Sequence, residues 1–205
     1  MSRPKVITLN PAGNDVDYIS TTETLTTPWA LQLDGVLTFS EAQHVTITTT
    51  SDETLATFTV VGTDRDGNVL TEAITGPNNS VALGTKNFKT VTSITSTADA
   101  TGVTAGINGL SESAWFLLNY RGPDFNVAIG CTTGGATYAM QHTFTNVLAT
   151  GFVEDDAVVY THSTLTGETT NQDGNYTNPP VACRLAITSA GTGPVTATVI
   201  HAGRS

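Results

Sequence analysis

Charge is scarce in this chain. Only 13% of its residues carry one, and 8 Lys and Arg set against 18 Asp and Glu leave a formal net charge of -10. So few cations cannot neutralise a run of phosphates, which argues against nucleic acid and anionic lipid as partners. Long apolar runs are missing as well. No stretch is long enough to cross a bilayer, and the residues from Met1 to Asn10 carry positive charge without the apolar segment of a secretory leader. The expectation is a chain made and kept in a cytosol, with no membrane partner. There are only two cysteines, Cys131 and Cys183, far apart in sequence. They read as reduced thiols in the core rather than as a disulfide or a ligand pair. Helical periodicity is the last absence, because no window sustains apolar residues at i, i+3, i+4 and i+7 between caps.

What fills the chain instead is threonine, about a fifth of the 205 residues, a bias toward strands with a hydroxyl-rich surface. The clearest two-residue period lies in Ala56–Ile74. Phe58 and Val60 alternate there with Thr57 and Thr59, and the run from Asp64 to Asn68 supplies turn-forming side chains and a glycine. That is a hairpin, and the fold class is all-β with no substantial helix.

Along the chain, residues 1–27 are sparse in apolar side chains and read as an extended N-terminal arm able to reach a neighbour. A first β-sandwich spans residues 28–111, opening with a strand from Pro28 to Leu33 that puts Trp29, Leu31 and Leu33 on one face. The strand from His44 to Thr49 follows, with Val45 and Ile47 inward. Phe88, Val91 and Ile94 are three apart, a spacing that fits a strand carrying a bulge. A second sandwich spans residues 112–205. It begins with the apolar run from Trp115 to Tyr120, read as the seam between sandwiches, and contains a long loop over residues 146–180. Both sandwiches are expected to be Ig-like or jelly-roll-like.

Chemistry is thin. Asp64, Asp66, Gly67 and Asn68 suggest a calcium loop, but strand residues follow at once and no bidentate acid closes it, so a plain turn is the better reading. The triplet Glu154, Asp155 and Asp156 offers carboxylates that, as sequence neighbours, would not face each other across a cleft. It reads as a solvated face or a contact for a partner, and with Tyr176 it makes the candidate protein-contact set of the 146–180 loop. His44, His142, His162 and His201 lack metal-ligand spacing. No strained Gly-x-Ser-x-Gly turn is present. Trp29, Trp115, Tyr120 and Tyr176 could stack on sugars but serve first as core or seam. The expectation is a protein that is no enzyme and uses no metal or cofactor.

One likeness gives this a direction. Phe58 to Asn68, then Glu72, Gly76 and Pro77, and Lys86 to Ile94 are followed by Gln141 to Phe144, Asn175 and Tyr176, Pro180 to Leu185, and Gly193 to Ile200. Their order across residues 45–201 resembles an all-β virion protein of tailed bacteriophages. The resemblance implies a non-enzymatic structural protein of the virion, synthesised in the host cytoplasm. Its partners would be capsid, portal or neck, or tail subunits and further copies of itself. The expected place is an accessory subunit of the tail or head-to-tail region, such as a fibre or collar component. The alternatives are a capsid decoration protein that cements the head and a glycan-binding tail protein.

Overall fold

The computed structural model describes residues 4–118 and 126–202. The chain is all-β, with antiparallel sheets and, among the described residues, one short 3-10 turn. It divides into two compact units, one formed by Pro11–Ser111 and the other by Met1–Asn10 together with Glu112–Ser205.

The Pro11–Ser111 unit contains β2 (Asp15–Leu25), β3 (Thr38–Thr48), β4 (Thr57–Thr63), β5 (Val69–Thr75), β6 (Val81–Ser96) and most of β7 (Ala100–Glu112). Its strands run in the order β7-β3-β6-β4-β5, with β2 also paired to β7. The expected hairpin is β4-β5, in unbroken register from Thr57↔Thr75 to Thr63↔Val69. Its turn is closed by the Asp64 carboxylate, which accepts the backbone N–H groups of Asp66 and Asn68 (2.9 and 2.8 Å) and the Asn68 amide (3.0 Å). Gly67 takes φ 86° at the reversal, where a side chain would be strained.

β6 organises this unit. It pairs with β3 along its first part and with β4 along its second. The expected bulge falls at Thr92: Val61 opposes Ser93 while Gly62 opposes Val91. The extra residue brings Val91 and Ile94 to the same interior, and a second irregularity, in the pairing with β3 between Phe88 and Thr90, accompanies the burial of Phe88 there as well. Phe39, Val45, Ile47, Phe58, Val60 and Ile107 share that core. Glu72 of β5 is only 8% exposed, and its carboxylate accepts the Thr85 N–H (2.6 Å), the Thr85 hydroxyl (2.9 Å) and the Lys86 N–H (3.3 Å) of β6.

The other unit is a sandwich of two sheets. One has the order β1-β14-β9-β12, from Lys5–Leu9, Val195–Ala202, Asn126–Thr133 and Gln172–Tyr176. The second contains β11 (Val159–Glu168), β10 (Thr137–Thr143) and β13 (Ala182–Ser189), with the two-residue β8 (Phe116–Leu117) paired to β13. Ile129, Cys131, Ala197 and Val199 of the first sheet meet Tyr138, Met140, Leu165 and Leu185 of the second in one core. Both cysteines are free and buried.

Several expectations are corrected. Of residues 1–27, expected to be an arm, those described do not form one. Lys5–Leu9 pairs with Val195–Val199, and Asp15–Leu25 pairs with β7 through repeated register shifts. Leu9, Ile19 and Leu25 are buried, so deleting the segment would open both cores rather than remove a tether. Pro28 to Leu33 is not a strand. Trp29 has φ 55°, Ala30 makes a single bridge to Thr95, and the Trp29 indole N–H bonds Asp99. The 146–180 stretch is not one loop, since it contains β11 and β12. In the run expected to form a seam, Asn119 and Tyr120 lie outside the described residues; of the others, only Phe116 and Leu117 are in a strand, and Trp115 and Phe116 are half-buried.

Candidate functional site

β10 and β11 run antiparallel, so alternate residues of each share a face, and the register sets His142 opposite Tyr160. Phe144 follows His142 by two residues and His162 follows Tyr160 by two, which gathers four rings at one end of the sheet. His142 stacks on Tyr160 at 5.7 Å between centroids and 21° between planes, and meets Phe144 edge-on at 5.8 Å. A fifth ring comes from the opposite sheet, where Tyr176 ends β12. Tyr176 lies 5.2 Å from His142 and 4.8 Å from His162, both near edge-on.

Hydrogen bonds fix this arrangement. His162 is buried; its Nδ1 accepts the N–H groups of Thr164 and Leu165, both at 3.2 Å, which assigns its ring hydrogen to Nε2, 3.2 Å from the Asn175 carbonyl oxygen. Gly174 makes room for it: a Cβ there would meet His162 Cε1 at 2.9 Å and Leu165 side-chain carbons at 3.0 and 3.1 Å. The connection from β10 to β11 is pinned at its base, where the Thr143 hydroxyl donates to Val158 O (2.8 Å) and Val158 N–H donates to the Thr145 hydroxyl (3.2 Å).

Beside the rings lies a cavity of about 320 Å³. His162, Tyr176 and Pro180 are its buried residues, and Thr161, Ser163, Asn175, Thr177 and Asn178 are exposed around it. Outward from His142, Phe144 is 61% and Tyr160 48% exposed.

The candidate contact residues separate. Glu154, Asp155 and Asp156 form the 3-10 turn within the β10–β11 connection, with Glu154 half-buried and Asp156 exposed. Tyr176 belongs to the ring cluster and is only 7% exposed, so it offers little surface to a partner protein. Of the other aromatic residues considered for stacking, Trp29 is tied to Asp99 and Trp115 is covered by the Arg184 guanidinium, 4.5 Å from its ring centroid. The ring cluster had a sequence signal that metal-ligand spacing does not test for: the pairs His142-x-Phe144 and Tyr160-x-His162, each alternating on a strand.

Burial favours the neutral form of several ionisable groups in this unit. Burial pushes both thiols up to about 12, so neither Cys131 nor Cys183 supplies a thiolate nucleophile. Burial also raises the Tyr176 phenol, helped by Cys183 and Cys131. His142 is lowered from the ordinary imidazole value, first by burial and then by nearby His162, and His201 is lowered by burial. Both shifts act in one direction. Below about pH 6.5 the unfolded chain takes up protons that folded His142 and His201 resist, so their stabilising contribution is full above that pH and is lost as pH falls through the folded values. Thermal melts should therefore show a falling midpoint for the sandwich unit from pH 7.5 to 5, about neutral to mildly acid. His142→Gln should flatten that slope; an unchanged slope in the variant would contradict the assignment.

Among the described residues no group of three or more His, Cys, Asp or Glu is arranged to hold a metal ion. Compared with known protein families, curated proteins and solved structures, the chain matches none.

Proposed function

We propose that this chain is a non-enzymatic structural subunit of a tailed-bacteriophage virion, an accessory component of the tail or head-to-tail region that acts by fitting against neighbouring virion proteins. The structural observation that most supports the reading is the edge formed by β5. This strand ends its sheet, and among the described residues nothing pairs with its outer side. It is regular over all seven residues. Its outward side chains are Val69, Thr71, Ala73 and Thr75, while its one charged residue, Glu72, is turned inward. Free-standing proteins blunt such edges with lysine, proline or a bulge, because an unprotected strand recruits other chains. An inward-pointing charge is a further such device, but the Glu72 carboxylate is already satisfied by Thr85 and Lys86, and the outward side of β5 carries no charge, so the edge still suits strand addition by an extended segment of a neighbour. The ordered likeness over residues 45–201 supplies the virion context.

The test is incorporation into particles. Mass spectrometry of purified virions should find the chain at fixed copy number, in the fraction that carries tails. Ala73→Lys, on an exposed position, should leave the melting curve unchanged and cut incorporation about tenfold or more, a loss worth roughly 1.4 kcal/mol per decade. Recovery of the chain in tail-free heads would move the assignment to capsid decoration. Its absence from particles would end the proposal.

A further inference from the structure

We infer that the cavity beside β11 and β12 is a binding subsite for an uncharged saccharide. It is a surface distinct from the β5 edge, and the argument does not depend on the virion reading.

Size comes first. At about 320 Å³ the cavity lies at the lower end of the roughly 300–1,000 Å³ typical of small-molecule sites. That is room for a sugar ring or two and too little for a folded peptide.

Charge narrows the choice further. No Asp, Glu, Lys or Arg is among the lining residues, so the site offers no partner for a phosphate, a carboxylate or an ammonium group, each of which would lose its hydration without compensation. Of the two lining imidazoles, His142 is lowered from the ordinary value by burial, and His162 has both ring nitrogens engaged by Thr164, Leu165 and Asn175.

The remaining chemistry is of two kinds, and they are segregated. Buried Tyr176 and Pro180 give the cavity its apolar lining, and His162 of β11, against Tyr176, is held by its hydrogen bonds. Exposed Thr161, Ser163, Thr177 and Asn178 contribute hydroxyl groups and a carboxamide, which both donate and accept. A pyranose has the matching division, with C–H groups that pack on ring faces and hydroxyls around its rim. The floor is organised in advance, so little side-chain ordering opposes binding. Tyr160, whose ring stacks 5.7 Å from that of His142, and Phe144 extend the aromatic surface outward from the cavity, as an oligosaccharide longer than one unit would require.

The test uses the isotope-labelled full chain, titrated in separate NMR experiments with glucose, galactose, N-acetylglucosamine and their disaccharides, and with N-acetylneuraminic acid as the anionic comparison. At least one neutral sugar should shift backbone signals of Thr161–Ser163 and Asn175–Asn178 in a saturable way, and the acid should not. Asn178→Ala and Thr161→Val replace exposed side chains and leave the cores intact; each should weaken binding about fivefold, the loss of one or two neutral hydrogen bonds. Failure of every neutral sugar to shift these signals at millimolar concentration overturns the proposal. So does equal binding of the anionic sugar, or unchanged affinity in both variants.

Discussion

Gly62→Ala is expected to lower the thermal midpoint of the Pro11–Ser111 unit by about 15 °C or more, the effect of roughly 3 kcal/mol in a domain of this size. A Cβ built on Gly62 falls inside the contact distance of the Thr90 carbonyl oxygen, and it comes within 2.8 Å of the carbonyl carbon and 3.1 Å of Phe88 Cδ1. The obstacle is backbone, and it is held on both sides: Thr90 pairs with Thr38 of β3 and with Thr63 of β4. It cannot retreat without breaking one ladder or the other. Overpacking a core costs about 1–3 kcal/mol when side chains can adjust, and more when they cannot. Gly130→Ala is the control. It lies in β9, has no neighbour within 4 Å of its would-be Cβ, and should change stability by less than about 0.5 kcal/mol. Differential scanning calorimetry of both variants checks the pair, and equal melting of Gly62→Ala and the parent chain would refute the packing argument.

Arg184→Ala is expected to cost the sandwich unit about 3 kcal/mol. Arg184 is 7% exposed on β13. Its Nη1 lies 2.8 Å from Glu112 Oε2, its Nε donates to Gln141 Oε1 at 2.7 Å, and its guanidinium plane covers Trp115. Truncation takes the cation from Glu112, the donor from Gln141 and the cover from an indole at once. Arg184→Lys should recover less than half, because a point charge on a flexible stem cannot reproduce the fork or the stacking. A double variant, Arg184→Met with Glu112→Gln, should be more stable than Arg184→Ala, since replacing a buried pair by uncharged groups of similar volume avoids stranding one charge. Guanidinium unfolding read by tryptophan fluorescence distinguishes these outcomes. A loss of less than about 0.5 kcal/mol in Arg184→Ala would mean that the pair contributes no more than an exposed one.

The parts of the fold legible in the sequence are those where partner strands are neighbours in the chain. Asp64 to Asn68 shows its turn because every group that closes it lies within five residues, and the three-residue spacing of Phe88, Val91 and Ile94 shows its bulge because all three meet one core. Lys5–Leu9 was obscure because its partner is Val195–Val199 at the other end of the sequence. Asp15–Leu25 was obscure because its shifts in register interrupt the alternation. In β11 only His162 and Leu165 are buried, three apart, and in β12 only Tyr176 is. Both segments therefore have the composition of a loop. The ring cluster was half legible: its strand-wise pairs are visible, but nothing local says that Tyr176, some fifteen residues on, closes over them from another sheet.

The pairing of β1 with β14 has a consequence for synthesis. The sandwich that contains Lys5–Leu9 is completed only by Val195–Ala202, so β1 must wait until β14 has been made. On a ribosome, where folding proceeds as segments emerge, Pro11–Ser111 is whole long before that happens. Lys5–Leu9 is thus made before Pro11–Ser111 yet finds its place after it, and a fragment that begins at Glu112 would leave β14 with one side bare.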